Sequence, residues 1–283
     1  MTTKKVWFIT GASRGFGFEI VKAVLDAGDK VVATVRSKPE QLTAALGNLP
    51  DLHVVLLEVT DEDQAVEAAA QAVKKFGRID VLVNNAGYGL LSAVEEASAK
   101  EIRANYEANV FGLLNVTRAV LPYMRRQRAG HVINLSSVGG LKGYTGWGIY
   151  GSTKFAVEGI TESMAIELAP LGIKATTVEP GFFRTDFLDT TSLTRTGNVI
   201  EDYDATVGAM RRFATDVNKK QPGDPRKLAQ AFIKLANAEN PPVHLLLGKD
   251  TLAAYREKQA AMEKEISEWQ AVTTGTDHDD VKA

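Results

Sequence analysis

Short apolar runs alternate along the chain with longer stretches in which apolar residues recur every three or four positions. The runs, rich in β-branched residues, predict strands at residues 6–9, 30–35, 53–59, 79–85, 130–135, 173–178 and 244–247. Strands that are apolar on both faces and separated by helices indicate a parallel sheet covered on both sides. Because crossovers between parallel strands are right-handed, we expect an α/β fold with a doubly wound sheet of about seven strands in a single domain.

Helix boundaries are marked by capping signals. Asp-x-x-Gln starts a predicted helix over 61–76, and Ser-x-x-Glu starts a long one over 98–126, in which Pro122 predicts a kink. Further helices are predicted over 18–25 and 150–169. The pattern thus alternates strand and helix as the doubly wound fold requires.

A glycine-rich turn joins the first predicted strand to the first helix. It reads Thr-Gly-Ala-Ser-Arg-Gly-Phe-Gly over 10–17, so its glycines follow the spacing Gly-x-x-x-Gly-x-Gly. Glycines let the backbone turn tightly and approach a ligand closely, and the helix N-terminus attracts negative charge. The turn therefore predicts a site for the pyrophosphate of a dinucleotide.

Composition removes several function classes. The chain has 283 residues and a formal net charge of −2, so no basic excess favours a nucleic-acid partner. It has no cysteines, which excludes disulfides and thiolate chemistry. The four histidines show no metal-ligand spacing, and we expect no metal. The first strand begins near the N-terminus and no apolar stretch is long enough to span a bilayer, so we expect no signal peptide, no membrane association and a cytoplasmic location.

A second motif is Tyr150-x-x-x-Lys154, in which the two side chains share one face of a helix. An ammonium beside a phenol favours its ionised form, which a tyrosine needs to act as an acid or base near neutral pH. Taken alone the motif is weak, and a surface Tyr and Lys on an amphipathic helix explain it better. However, Ser136-Ser137, Asn84-Asn85-Ala86-Gly87 and Pro180-Gly181 also follow predicted strands, at the sheet edge where α/β folds bind ligands.

Together these motifs resemble the short-chain dehydrogenase/reductase family over nearly the whole chain. The matching residues are the glycine turn, Asn84–Gly87, Asn109, Ser137, Tyr150, Lys154, Pro180-Gly181 and Thr185. The resemblance implies a Rossmann-like domain over 1–250 and hydride transfer between a nicotinamide cofactor and an alcohol or carbonyl. A helical extension with a frayed tail is expected over 251–283.

The resemblance also implies a catalytic set. Tyr150 would exchange a proton with the substrate oxygen, and Ser137 would hydrogen-bond the same oxygen, with Ser136 the weaker candidate. Lys154 would lower the pKa of Tyr150 and hold the cofactor ribose. Asn109 would anchor a water molecule of the proton relay; the alternative is a mid-helix Asn that hydrogen-bonds locally.

The cofactor is expected to be NADP(H). The second strand ends in Thr34-Val35-Arg36-Ser37, without the carboxylate that would repel a 2′-phosphate, and Arg14 and Arg36 could both bind that phosphate. The alternative is a simply solvated Arg36. The expected cofactor-binding residues are Gly11, Ser13, Arg14, Gly15, Phe16, Gly17, Arg36, Glu58, Val59, Asn85, Ala86, Gly87, Tyr150, Lys154, Pro180, Gly181, Phe183 and Thr185. Glu58 departs from the family, which usually has Asp there, so its contact with the adenine is left open.

Substrate specificity is expected in three segments, one of which is a lid over about 182–225. Their residues, of which about half would be local core, are Tyr88, Leu90, Leu91, Leu141, Tyr144, Trp147, Phe182, Phe183, Phe187, Leu188, Met210 and Phe213. Such a lining predicts an apolar carbonyl or alcohol as substrate. The sequence resembles the subgroup related to 17β-hydroxysteroid and retinol dehydrogenases, and the family commonly forms homodimers or homotetramers.

Two other functions remain open on the same fold. One is a non-catalytic sensor of NADP(H), which would not need an activated phenol. The other is a dehydratase or epimerase of nucleotide sugars, which the apolar lining disfavours. The sequence does not give the physiological substrate, the stereochemistry or the direction of flux.

Overall fold

The computed structural model describes residues 4–278. The predicted start of the domain at residue 1 and the last five residues of the predicted frayed tail lie outside them. Strands in chain order are β1 (Val6–Ile9), β2 (Lys30–Val35), β3 (Leu52–Leu56), β4 (Val81–Asn84), β5 (Gly89–Leu91), β6 (Gly130–Leu135), β7 (Ile173–Pro180), β8 (Leu193–Arg195) and β9 (His244–Leu247). Helices are α1 (Gly15–Asp26), α2 (Pro39–Leu46), α3 (Glu62–Phe76), α4 (Ala99–Tyr106), α5 (Gly112–Gln127), α6 (Gly148–Leu168), α7 (Ala209–Asp216), α8 (Pro225–Asn237), α9 (Lys249–Glu268) and α10 (Gln270–Thr274).

Seven of these strands form one parallel sheet in the order β3-β2-β1-β4-β6-β7-β9. The chain winds outward from β1 to β3, then returns to the other side of β1 with β4. That reversal lies between β1 and β4, where doubly wound sheets open a crevice beyond the carboxyl ends of their strands. The predicted seven-stranded, doubly wound, single-domain α/β fold is confirmed.

The sheet is covered on both faces, as the apolar strands predicted. Trp7 and Ile9 of β1 point to the side that packs against α1 and α8, where Phe232 is fully buried. Phe8, between them, points to the opposite side and packs with α3, α5 and α6. This alternation along one strand explains why β1 has no polar residue.

Both predicted capping motifs are present. Asp61 accepts a hydrogen bond from the backbone N–H of Gln64 (3.0 Å) at the start of α3. Ser98 and Glu101 bond reciprocally at the start of α4, with Ser98 N–H donating to the Glu101 carboxylate at 2.9 Å. These side chains satisfy backbone donors that the first helical turn leaves without partners.

The structure differs from the sequence prediction in several elements. The long helix predicted over 98–126 is divided by a π-helical segment, Glu107–Phe111, which lies far before Pro122. Helix α2 lies between the second and third predicted strands, where no helix was predicted, and α8 was not predicted either. Strands β5 and β8 pair in a second, two-stranded sheet that only tertiary packing brings together.

Candidate active site

A cavity of about 870 Å³ opens at the carboxyl edge of the sheet, next to the reversal between β1 and β4. Its lining comes from the turns after β1, β2, β3, β4, β6 and β7 and from the segment between β7 and α8. Of the predicted cofactor-binding residues, those that line it are Gly11, Ser13, Arg14, Gly15, Phe16, Arg36, Glu58, Val59, Asn85, Ala86, Gly87, Tyr150, Lys154, Pro180, Gly181, Phe183 and Thr185. Gly17 lies behind the lining. The structure therefore brings together nearly every residue that the motifs selected.

The glycine turn has the shape that its spacing predicts. Gly11 and Gly15 have φ angles of 66° and 58°, a region that suits glycine. A Cβ on Gly17 would lie 2.3 Å from the Gly11 carbonyl oxygen, so this position has no room for a side chain. The Asn85 amide donates to the carbonyls of Thr10 (2.8 Å) and Gly11 (3.0 Å), which fixes the turn from below. A turn with room for backbone approach and a helix N-terminus behind it fits a pyrophosphate group.

Cationic groups gather where β2 ends. Arg36 is exposed on the cavity wall and makes no ion pair with any residue that the structure describes. Lys38, which the sequence analysis did not select, lines the same wall because a left-handed backbone (φ 54°) places it at the start of α2. Arg14 is oriented differently from expectation: its guanidinium donates to the Thr191 carbonyl (2.5 Å) and to the Ser192 hydroxyl (3.1 Å).

Glu58 lines the cavity but its carboxylate has local partners. One of its oxygens accepts hydrogen bonds from the backbone N–H (3.3 Å) and the hydroxyl (3.2 Å) of Thr60. Thr185 accepts a hydrogen bond from the backbone N–H of Phe187 (3.2 Å) and caps a short helical turn.

Ser137, Tyr150 and Lys154 meet on the cavity wall. Lys154 donates to the Leu135 carbonyl (2.8 Å), and its Nζ lies 5.7 Å from the centre of the Tyr150 ring. The Ser137 hydroxyl oxygen accepts from the backbone N–H of Gly139 (3.1 Å), which leaves its proton free to be donated. Ser136 is directed away, because its oxygen and Glu158 both lie beside Gly140.

Burial is the largest influence on the pKa values of Tyr150 and Lys154. It raises the pKa of Tyr150 above its usual value, and the hydrogen bond from Ser137 opposes the rise. This direction is opposite to the lowering that we expected from Lys154. Burial also lowers the pKa of Lys154 to about 8, and the charge of Glu158 opposes that change. Burial therefore favours the neutral form of both groups.

Asn109 lies in the π-helical segment and is buried beneath the cavity rather than on its wall. Its side-chain oxygen accepts from Tyr88 N–H (3.0 Å), and its amide donates to the Tyr88 carbonyl (3.0 Å) and to Thr153 (3.1 Å). Thr153 in turn donates to the carbonyl of Tyr150 (2.7 Å). Asn109 thus joins the segment after β4 to the helix that carries Tyr150.

A buried polar cluster behind Lys154 was missed by the sequence analysis. The His244 Nδ1 atom lies 3.1 Å from a carboxylate oxygen of Glu179 and 3.4 Å from one of Glu158. Burial and the charge of Glu158 raise the pKa of Glu179 to about 9. The pattern Tyr150-x₃-Lys154-x₃-Glu158, one stripe of a helix, is the signal that could have revealed it. His244 is the exposed member of this cluster.

Aromatic side chains pack against Tyr150 on the cavity wall. The Phe187 ring lies 5.5 Å from Tyr150 and 6.1 Å from Trp147, measured between ring centres. Of the twelve predicted substrate-lining residues, those on the wall are Tyr88, Tyr144, Trp147, Phe182, Phe183, Phe187, Leu188 and Met210. Leu90 and Leu91 are instead buried core, and Phe213 packs against Phe182 from outside, with 6.1 Å between ring centres.

The predicted lid segment is attached to the body at several points. Glu96, whose side chain is fully buried, accepts from the backbone N–H groups of Ala93 (2.7 Å) and Ile200 (3.0 Å) and pairs with Arg211. The β5–β8 pairing and the contact of Arg14 with Thr191 and Ser192 add two further attachments. Residues 191–211 are thus held against the body by backbone and side-chain contacts.

Within residues 4–278, no helix combines the length and apolar character needed to cross a bilayer. Two curated relatives are similar to the chain over most of their length. An oxidoreductase of Botryotinia fuckeliana, BOA17, is 42% identical over 250 residues, 88% of this chain and 90% of the relative. A 3-ketodihydrosphingosine reductase of Bacteroides thetaiotaomicron is 36% identical, covering 86% and 88%.

Solved structures agree with these relatives. A short-chain dehydrogenase of Streptomyces avermitilis superposes with a TM-score of 0.89 at 38% identity, over 98% of this chain and 100% of that one. ElxO with NADP bound gives 0.74 at 30% identity, over 89% and 100%. The family profile described as short chain dehydrogenase matches residues 5–196. This chain belongs to the short-chain dehydrogenase/reductase family of oxidoreductases.

Proposed function

We propose that the protein transfers a hydride between NADP(H) and an apolar carbonyl or alcohol substrate, with Tyr150 as the general acid and base. The observation that carries this proposal is the meeting of Tyr150, Ser137 and Lys154 on the wall of a cavity that aromatic side chains also line. A protein that only sensed the cofactor would gain nothing from a buried phenol held beside an ammonium group.

The cofactor's place follows from the backbone. The turn between Gly11 and Gly17 would hold the pyrophosphate, and Arg36 with Lys38 would bind a 2′-phosphate through charge-assisted hydrogen bonds. Arg14 would contribute there while it also contacts the lid segment. Thr185, with Pro180 and Gly181, lies where it would position the nicotinamide. When bound, this group supplies the hydride.

Proton transfer falls to side chains of this chain. The Ser137 hydroxyl would donate to the substrate oxygen and keep it beside the Tyr150 phenol, which gives its proton to the alkoxide that develops in reduction. Burial alone raises the pKa of Tyr150, so the reverse direction needs positive charge near the phenolate. Lys154 supplies one such charge. Asn109 would support the proton relay by fixing the helix turn around Thr153.

An apolar substrate is favoured by the side chains around Tyr150. Trp147, Phe187 and Met210 line the cavity there. The similarity to a reductase of 3-ketodihydrosphingosine supports a ketone on an apolar molecule. The cytoplasmic location and the absence of a nucleic-acid partner stay predictions, as does the homo-oligomer.

A panel of aldehydes, ketones and alcohols with NADPH or NADP⁺ tests the proposal. We expect turnover of apolar carbonyls, and a loss of about 10²–10⁴-fold in kcat for Tyr150→Phe, the usual contribution of a positioned acid. Tyr123→Phe, far from the cavity on α5, is the matched control and should keep full activity. Tight NADPH binding without turnover of any compound would indicate the sensor instead.

A further inference from the structure

The helix α9 leaves the body of the molecule after its first two turns. Thr251 and Ala254 are buried at its base, and Glu257 pairs there with Lys142 (2.8 Å). From Gln259 to His278, by contrast, every residue is exposed. Residues 259–274 are almost entirely helical, about 24 Å of projecting helix at 1.5 Å per residue. We call residues 252–274 the arm.

The arm has an apolar stripe in strict heptad spacing. Its a and d positions, separated alternately by three and four residues, are Leu252, Tyr255, Gln259, Met262, Ile266 and Trp269. Met262, Ile266 and Trp269 are 47%, 48% and 64% exposed, a large apolar area for one exposed helix. A projecting helix of this length is marginal in water without a partner that covers its apolar face. The spacing of 3.5 residues fits another helix better than it fits a flat surface.

Charge identifies the partner helix as a copy of the arm itself. The flanking e and g positions carry Arg256 and Lys258 in the first half and Glu263 and Glu265 in the second half. Antiparallel pairing places the basic half of one arm beside the acidic half of the other on both flanks. The projecting residues 259–274 hold one lysine against three glutamates, so an anionic lipid surface is a poor partner.

The a and d positions of the arm support the same antiparallel pairing. When Gln259 packs on the partner's Met262, Tyr255 faces the partner's Ile266 and Leu252 faces the partner's Trp269. All six positions are then paired about one two-fold axis, as a symmetric dimer requires. Gln259, the polar core position, lies next to that axis, where a polar residue is known to fix the register of paired helices.

We propose that two copies of the protein associate through an antiparallel pair of their arms, Leu252–Trp269 of each. This contact is separate from any contact made by the helices that cover the sheet. It does not depend on the oxidoreductase activity.

Molar mass in solution, measured by light scattering at about 10–100 µM protein, tests the proposal. Ile266→Glu should halve the mass of the unaltered protein, while Ala261→Glu, on the other side of the same helix, should leave it unchanged. Both positions are exposed, and the thermal midpoint of the body should not change in either variant. Equal masses for all three proteins would overturn the proposal, as would an equal loss of mass in both variants.

Charge exchange gives a second, independent test. Arg256→Glu with Lys258→Glu makes both flanks acidic, and Glu263→Lys with Glu265→Lys makes both basic. Each double variant alone should lose the arm contact, and a mixture of the two should restore it. The absence of cysteines then allows orientation to be measured: Leu252→Cys mixed with Trp269→Cys should form a mixed disulfide. Failure of the mixture to regain mass would contradict the pairing.

Discussion

The side of the cavity that we propose for the cofactor, the cofactor side, contains a turn of backbone, whereas the side that we propose for the substrate, the substrate side, is made of side chains. On the first side, the turn at 10–17 and the Asn85 amide that supports it fix carbonyl and N–H groups in space. On the second, the rings of Trp147 and Tyr150, at the start of α6, pack with each other and with Phe187 from the segment after β7. Backbone geometry tolerates almost no change of residue, while a wall of rings can be rebuilt one residue at a time.

The largest effect should follow from adding a side chain at Gly17, where the backbone of the glycine turn leaves no room for one. Gly17→Ala puts a Cβ at 2.3 Å from the Gly11 carbonyl, so the turn must shift. A cost of roughly 3 kcal/mol, the upper end for overpacking, weakens NADPH binding by about 100-fold. Fluorescence titration of NADPH measures it. Gly159→Ala on the open face of α6, where nothing lies within 4 Å, is the control and should bind normally. Unchanged NADPH binding by Gly17→Ala would contradict this prediction, because it would show that the turn can shift at little cost in free energy.

Removing one ring from the substrate side should act on a different quantity. Phe187→Ala deletes the ring packed on Trp147 and Tyr150, and roughly 2 kcal/mol of apolar contact corresponds to about a 30-fold loss in kcat/KM for an apolar ketone. Steady-state kinetics should show the NADPH affinity unchanged. Phe111→Ala, an exposed ring on the π-helical segment, is the control. A loss of NADPH affinity in Phe187→Ala would mean that the two sides are not separable.

A smaller effect is expected at the cationic end of the cofactor side. Arg36→Ala removes one exposed charge-assisted contact, worth roughly 1.5 kcal/mol, and should weaken NADPH about 10-fold while NADH binding stays constant. Arg118→Ala, which removes an exposed ion pair with Glu62, serves as the control. If NADH weakened equally, Arg36 would not be reading the 2′-phosphate.

A different effect, on stability rather than on binding or turnover, is expected where Glu179 precedes Pro180, just before the lid segment. The pKa of Glu179 in the folded protein is raised to about 9, above that of the same carboxyl group in the unfolded chain. Between these two pKa values, the unfolded chain has lost a proton that the folded chain keeps. The unfolded state then binds fewer protons, so the free energy of unfolding should fall as pH rises from about 5 to 9. Glu179→Gln should flatten this fall in urea titrations at several pH values. Glu67→Gln, on exposed α3, should reproduce the unaltered slope.

The two sides also differ in how well the sequence predicted them. Gly11, Gly15 and Asn85 follow strands directly, so local motifs placed them at one edge before any contact was known. Lys38 was missed because its position depends on a left-handed backbone at the start of α2. Leu90 and Leu91 were selected as lining but pack inside, since their burial depends on β8, a strand more than 100 residues further along the chain.

The polar cluster and the lid attachments show the same limit. Glu158, Glu179 and His244 lie on a helix and two strands whose neighbourhood only the sheet order reveals. Glu96 was not selected from the sequence, and its burial follows from the return of residues 196–211 over it. Where a site is made of groups distant along the chain, pattern along the sequence carries little information about it.

The π-helical segment Glu107–Phe111 behaves as a single inserted residue in an otherwise continuous helix. Because a π-helical turn holds more residues than an α-helical turn, the segment rotates the side chains of α5, which follows it, by about one residue position, roughly 100° around the helix axis. Residues before it can therefore face α6 while residues after it face α3 and the sheet. Deleting one residue here would make the helix regular, and Asn109 could then no longer reach Tyr88 and Thr153 while α5 kept its buried face. A gap of one in this segment, in any aligned relative, would mark a protein in which that connection has been lost.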